Sequence, residues 1–190
     1  MKRLFALLTA LLLLTGCSQL ETPPEDEDIL FPLEEQADTT EATALPEVFS
    51  LPYLSTQPLN PLACPDGMQQ TVASLLYEGL FHLDGQFTPQ PLLCASYTYD
   101  PEALTYVLTL RQGVVFSDGS PLTAADVRAT LTAARSSARY APRLADVKSI
   151  SAGNGTVTLT LSRPNSALPA LLDIPILKSG TEKKDIPTGT

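Results

Sequence analysis

The side chains that could perform acid–base, nucleophilic or metal chemistry are few in this chain. Its 190 residues include one histidine, His82, and three cysteines, Cys17, Cys64 and Cys94. A site built from several histidine ligands is therefore excluded, and no Cys-x-x-Cys pair is present. A hydrolase is a poor fit because a nucleophile–His–Asp set would have to be assembled around His82 alone. No metal site and no cofactor are predicted.

The charged residues are unevenly distributed, with the acids at the front and the bases at the back. No Lys or Arg occurs between Arg3 and Arg111, and this stretch holds 15 of the 21 acids. Such a front argues against a protein that tracks nucleic-acid phosphates, which needs clustered Lys and Arg. Four arginines fall on roughly one helical face. We interpret this face as solvated, in preference to one that contacts an anionic ligand or the acidic front of the chain. The four arginines are Arg128, Arg135, Arg139 and Arg143.

The first seventeen residues have the pattern of an export signal. Lys2 and Arg3 precede an apolar run over residues 4–14, which is too short to span a membrane but typical of a signal peptide. The run ends in Leu14-Thr15-Gly16-Cys17, which resembles a bacterial lipobox. This resemblance implies cleavage after residue 16 and a diacylglycerol on Cys17, a stable membrane anchor. An ordinary secretory signal with a chance cysteine is the alternative.

Residues 17–46 are predicted to form an acidic, disordered tether. They contain Glu25-Asp26-Glu27-Asp28 and Glu34-Glu35 and no basic residue. Such a segment buries too little apolar surface to offset its ordering entropy, and its like charges keep it extended. Spacing between the membrane and a folded body is the favoured role, and a specific acidic binding tail is the alternative.

Cys64 and Cys94 are left as a possible disulfide, which export would permit. The bond would close a loop of about 30 residues and contribute roughly 3–4 kcal/mol in the chain-entropy model. The alternative is two buried free thiols, since the sequence gives no distance between them. The disulfide is the favoured interpretation.

From residue 47 onward, the pattern predicts an α+β fold with mostly antiparallel hairpins and two or three helices. Asp66 is the predicted N-cap of a first helix in a capping-box pattern, with Gly79 as its stop. Its apolar face would comprise Met68, Val72, Leu75 and Leu76. Thr123 begins a second, Ala-rich helix that runs to about Ser137, and a short helix is expected at 166–172.

Alternation and turn residues locate the strands. Apolar residues at 104, 106, 108 and 110 alternate with polar ones, which predicts a half-exposed strand. Asp84-Gly85 and Gly153-Asn154-Gly155 are the turns of two predicted hairpins.

Residues 110–127, LRQGVVFSDGSPLTAADV, closely resemble the signature segment of the family 5 extracellular solute-binding proteins. These are the oligopeptide-, dipeptide- and nickel-binding components of ABC importers. The resemblance extends over about 47–190 and includes Leu76-Tyr77-Glu78-Gly79-Leu80 and Leu59-Asn60-Pro61. The motif itself builds turns and a helix cap, so it identifies the family without specifying a ligand.

The resemblance implies the N-terminal part of a periplasmic-binding-protein type II-like fold. Its first domain-I strand would be 47–62, domain II would be 63–172, and 173–190 would return into domain I. In the family, the pattern at Pro187-Thr188-Gly189-Thr190 continues into a much longer chain, so a fragment is expected.

The resemblance also implies candidate ligand contacts. In peptide-binding relatives the backbone after the Leu59-Asn60-Pro61 position lies along the ligand cleft, which here implicates Asp66, Gly67 and Met68. For Asp66, helix capping alone is the alternative. Tyr140 is a further candidate because relatives place an aromatic residue facing the cleft after the second helix, although packing in the core is favoured for it.

The implied function is a lipid-anchored protein that binds peptides or a similar small solute and delivers them to an ABC permease and ATPase. It would face the exterior or the periplasm and would make or break no bond. A non-transport surface lipoprotein acting as a scaffold, sensor or adhesin is the rival. His82 is disfavoured as a nickel ligand because it stands alone.

Overall fold

The computed structural model describes residues 50–64 and 66–190. The predicted signal peptide, the lipidation site Cys17 and the tether over 17–46 therefore lie outside the described residues. The description below concerns the described residues only.

The described residues form three α-helices, six strands and one 3-10 turn. They are α1 (Gly67–Leu76), β1 (Phe81–Leu83), β2 (Pro89–Pro91), β3 (Cys94–Asp100), β4 (Thr105–Leu110), α2 (Ala124–Ala134), the 3-10 turn (Ala141–Leu144), β5 (Val147–Ala152), β6 (Thr156–Leu161) and α3 (Leu168–Leu171). The α+β class expected from the sequence is confirmed.

The core lies between α2 and one face of a four-stranded antiparallel sheet. The strand order is β3-β4-β6-β5, with α2 packed on β5 and β6. Tyr106, Leu108 and Leu110 of β4 point into this core, as the alternation predicted. Leu159 of β6 pairs with Tyr106 and is fully buried, so the two central strands supply one continuous apolar surface.

Both predicted hairpins are present. The Asp84 carboxylate accepts hydrogen bonds from the backbone N–H groups of Gln86 and Thr88, each 2.9 Å long, and so closes the β1–β2 turn. The β5–β6 turn contains Gly155 with φ of +72°, a conformation that favours glycine. Local turn chemistry therefore sets the pairing of these strands.

Helix α1 begins where predicted but exposes the face predicted to be buried. Asp66 Oδ1 accepts hydrogen bonds from the N–H groups of Met68 (2.8 Å) and Gln69 (3.2 Å), which confirms it as N-cap. The helix ends at Leu76, before Gly79, and buries Gln69 and Ala73. Leu75 is 66% exposed, so the predicted apolar face was wrong.

Helix α1 turns a polar side chain toward the interior because the neighbouring backbone needs hydrogen-bond partners. The side-chain amide of Gln69 is fully buried and does not complete the capping box with Asp66. Its oxygen accepts from the N–H of Leu54 (2.9 Å), and its nitrogen donates to the carbonyls of Leu54 and Gln57 (3.1 Å each). Because the chain at 54–57 requires these partners, the polar Gln69 faces inward.

Helix α2 begins after Thr123, as the sequence predicted, and its N-terminus is capped by Thr123 and Asp126. The Thr123 N–H and hydroxyl both donate to Asp126 Oδ2, at 2.9 and 2.5 Å. The helix ends at Ala134, three residues short of Ser137. After the helix, the Ser137 hydroxyl donates to the carbonyl of Leu62 (2.6 Å) and so connects the chain that follows α2 to the chain that precedes α1.

The segment over 177–189 is held by buried polar side chains from other elements. Asn60 Nδ2 donates to the carbonyls of Glu182 (2.7 Å) and Lys184 (2.8 Å). Asp126 Oδ1 accepts from the N–H of Ser179 (2.9 Å), and the Tyr77 hydroxyl donates to the carbonyl of Pro187 (3.1 Å). We call residues 177–189 the return segment.

Candidate functional site

One of the predicted contact residues, Tyr140, lines a cavity. The cavity has a volume of about 170 Å³ and lies between α1 and the chain that follows α2. We call it the Tyr140 pocket. Its lining consists of Gln70, Ala73, Ser74, Arg139, Tyr140, Arg143, Asp173 and Pro175. The pocket is thus formed by α1, by the chain over 139–143 and by residues 173–175.

Tyr140 is both a core residue and a wall of this pocket. It is 3% exposed and belongs to the main apolar cluster, so the predicted alternative of packing is present. Two guanidinium carbons lie near its ring, that of Arg139 at 5.7 Å from the centroid and that of Arg143 at 5.3 Å. Burial raises the pKa of the phenol, and both arginines oppose the rise. The ring is therefore a neutral, rigid platform at neutral pH.

The two arginines beside Tyr140 differ in their partners. Arg143 forms a partly buried ion pair with Asp173. Arg139 is exposed and has no carboxylate partner among residues 50–64 and 66–190. The pocket therefore presents one guanidinium whose charge the described chain leaves uncompensated, supported on an aromatic face.

Asp66, Gly67 and Met68 do not line the Tyr140 pocket. Asp66 is occupied in capping α1, and Met68 is 43% exposed on the outer side of the helix. Gly67 is exposed, and a side chain added there would meet nothing within 4 Å. These positions begin the same helix, and the contact that reaches the pocket comes from Gln70, one turn later than Asp66.

Sequence reasoning did not select Gln70. Its Nε2 donates to the carbonyls of Cys64 (2.9 Å) and Pro61 (3.2 Å) and approaches Cys64 Sγ at 3.0 Å. It thereby fixes the chain that leads into α1 against the pocket. The i, i+4 relation to Asp66 is the only sequence signal that points to it.

The predicted disulfide between Cys64 and Cys94 is not formed, and both are buried free thiols. Cys94 begins β3 inside the core, and its thiol donates to the carbonyl of Ser96 (3.1 Å). Cys64 lies instead beside Gln70 and lines a neighbouring cavity with Ser137 and Arg139. The two thiols thus lie in different local surroundings. Burial raises the pKa of both thiols.

The remaining chemical candidates are dispersed. His82 is exposed on β1, where it pairs across the hairpin with Gln90. Within the described part of the chain, no group of three His, Cys, Asp or Glu side chains is placed to hold a metal ion. Over the same residues, no helix has the length and apolar character needed to cross a membrane.

Two family descriptions match the chain. Residues 88–190, more than half of it, match the bacterial extracellular solute-binding proteins, family 5 Middle. Residues 1–18 match the prokaryotic membrane lipoprotein lipid attachment site, which includes Cys17.

The chain resembles known proteins over part of their length. It is 37% identical over 121 residues to the glutathione-binding protein GsiB of Salmonella typhi, covering 62% of this chain and 24% of GsiB. Its fold matches NikZ from Campylobacter jejuni, solved with Ni(L-His), at a TM-score of 0.59 and 25% identity, over 70% of this chain and 27% of NikZ. NikA from Brucella suis, solved with Fe(III)-EDTA, gives a TM-score of 0.61 and 24% identity, over 70% and 29%.

These structural neighbours have the periplasmic-binding-protein type II fold, which confirms the fold expected from the sequence. The chain spans about a quarter of the length of the curated relatives and solved structures named here.

Proposed function

The chain belongs to the bacterial extracellular solute-binding proteins of family 5, and on that basis we propose that it is the ligand-binding lipoprotein component of an ABC importer. The proposed ligand is a short peptide or a similar small solute. Similarity to a glutathione-binding protein supports this ligand class, because glutathione is itself a small peptide with free carboxylates.

The observation that carries the proposal is the Tyr140 pocket with its uncompensated guanidinium. Arg139 is exposed, rests near the Tyr140 ring at 5.7 Å and has no carboxylate partner in the described residues. A guanidinium presents a planar fork of N–H donors that matches a carboxylate. We assign Arg139 to a ligand carboxylate or carbonyl, Tyr140 to the wall behind it, and Gln70 to fixing the adjacent chain.

The proposed mechanism is binding without bond formation. The pocket is small, at about 170 Å³, which is below the range typical of complete small-molecule sites. Ligand enclosure therefore requires a second surface, and closure of two lobes around a ligand is the movement known for binding proteins of this kind. The ligand shifts the population toward the closed form that the permease engages.

The lipid attachment match supports anchoring through Cys17. Two acyl chains hold a protein on a membrane where one holds it only marginally. The acidic segment over 17–46 would then keep the folded body away from an anionic surface by charge repulsion.

The test is a ligand titration of the full chain in detergent micelles, followed by NMR of backbone amides. Glutathione, dipeptides and a nickel–histidine chelate are the probes. We expect weak binding, with shifts confined to residues 69–74, 137–143 and 173–176, because the described body offers one wall of a site. Arg139→Gln should abolish those shifts, whereas Arg135→Gln, an exposed arginine outside the pocket, should retain them.

Either of two results would contradict the assignment of the Tyr140 pocket. If no probe shifts those amides at millimolar concentration, or if Arg139→Gln leaves the shifts unchanged, the assignment of the pocket fails. That outcome would favour the rival function of a surface lipoprotein that does not transport solutes.

A further inference from the structure

A second concave surface lies away from the Tyr140 pocket and shares no residue with it. It is a groove of about 580 Å³ between the loop 111–115, the first turns of α2 and the β5–β6 turn. We call it the Arg128 groove. The family signature builds two of its three walls, and the proposed ligand site makes no use of it.

The Arg128 groove is cationic. Arg111 and Arg128 line it, and none of the described lining residues is acidic. The acids nearest in sequence are engaged elsewhere: Asp118 pairs with Lys178 at 2.5 Å, and Asp126 is buried under bonds from Thr123 and Ser179. The two guanidinium charges therefore act on the groove without compensation from these carboxylates.

The floor of the groove combines exposed apolar surface with exposed polar side chains. Val115 is 53% exposed there, with Pro121 and Leu122 beside it. The side-chain amides of Gln112 and Asn154 make no hydrogen bond within the described residues. Amide groups and an apolar strip under a cationic rim match a polypeptide with acidic and apolar side chains better than a simple anion.

Glycine backbone opens the groove to an extended chain. Gly113 and Gly155 belong to two different walls and have φ of +75° and +72°, so a side chain at either position would be strained. The walls consequently present bare backbone, which lets another main chain approach closely. The volume is several times that of a single residue.

We propose that the Arg128 groove is a docking site for an extended acidic segment of a partner protein. The segment places carboxylates against Arg111 and Arg128 and apolar side chains on Val115. This site is separate from the proposed ligand pocket, so the chain can hold a solute and a protein partner at once.

The test uses a fluorescein-labelled nonapeptide of alternating Glu and Val, titrated with the full chain in detergent micelles and followed by fluorescence anisotropy. We expect saturable binding at about 50 mM salt that weakens strongly at about 500 mM, because screening removes the charge attraction. Arg128→Gln should raise the Kd about tenfold. Arg128 suits this change because its side chain makes no hydrogen bond within the described residues.

Arg135→Gln is the matched control, since Arg135 is an exposed arginine at the end of the same helix and outside the groove. It should leave the Kd unchanged. Val115→Asp, an exposed substitution on the floor, should also weaken binding. The proposal is overturned if Arg135→Gln weakens binding as much as Arg128→Gln, if a Lys–Val peptide binds equally well, or if citrate alone competes fully at the peptide's own affinity.

Discussion

The hydroxyl of Thr130 makes both backbone hydrogen bonds of Leu177. It donates to the Leu177 carbonyl and accepts from the Leu177 N–H, each at 3.0 Å, and both residues are fully buried. A single side chain of α2 thus satisfies both backbone polar groups at the start of the return segment. Without it, two backbone polar groups would be buried unpaired, which is costly in any protein interior.

Thr130→Val should therefore destabilise the fold although it conserves the side-chain shape. We expect a loss of about 2–4 kcal/mol in the free energy of unfolding, from one orphaned donor and one orphaned acceptor. Urea denaturation followed by far-UV circular dichroism measures it. Thr132→Val is the control, because Thr132 bonds only to the exposed Arg128 carbonyl of its own helix. Equal losses for the two variants would contradict the role assigned to Thr130.

Asp118 should make stability depend on pH in the acid range. Hydrogen bonds from Lys178 and Ser120 hold the pKa of Asp118 well below its ordinary value. A depressed folded-state pKa gives stability that is present above the ordinary carboxyl pKa of about 4 and is lost as the pH falls toward the folded value. Asp118→Asn should therefore flatten the fall in Tm between about pH 5 and pH 2.

Asp185→Asn provides the comparison for Asp118, since Asp185 is exposed and forms no ion pair within the described residues. Its Tm curve should follow the parent chain. If the parent and Asp118→Asn lose Tm in parallel on acidification, the Lys178 pair does not contribute to the acid dependence.

The cysteines give a direct chemical prediction. Cys64 and Cys94 are free and buried, so iodoacetamide should leave both unmodified in the folded chain and alkylate both after unfolding without any reductant. Mass spectrometry of the peptides that contain them reads the result. Alkylation that appears only after reduction would contradict this prediction and would show that Cys64 and Cys94 form a disulfide.

Cys17→Ser should release the protein from the membrane. The match to a lipid attachment site covers residues 1–18, in which Cys17 is the one cysteine, and serine at this position could not form the proposed thioether. Cell fractionation and immunoblotting report the distribution. Cys64→Ser is the control and should remain with the membrane, whereas membrane retention of Cys17→Ser would argue against lipidation.

Local patterns predicted the parts of the fold that depend on local chemistry. The alternation in β4, the N-caps Asp66 and Thr123, and the turn at Gly155 each follow from residues within a few positions of one another. Their placement needed no knowledge of distant contacts.

The features that the sequence did not predict depend on distant partners. The inward face of α1 is set by Gln69, whose amide serves the backbone around Leu54 and Gln57. Periodicity counts apolar residues and cannot register such a demand. The Tyr140 pocket has the same origin, since Gln70 and Asp173 come together only in the folded chain.

The anchoring of the return segment bears on how the protein would survive cleavage. Its exposed tip contains Lys183 and Lys184, a target for trypsin-like proteases. Asn60 Nδ2 donates to the carbonyls of Glu182 and Lys184, which lie on either side of the Lys183–Lys184 peptide bond. A nick there would leave each new end held separately, so the backbone would be cut while the fold kept its shape.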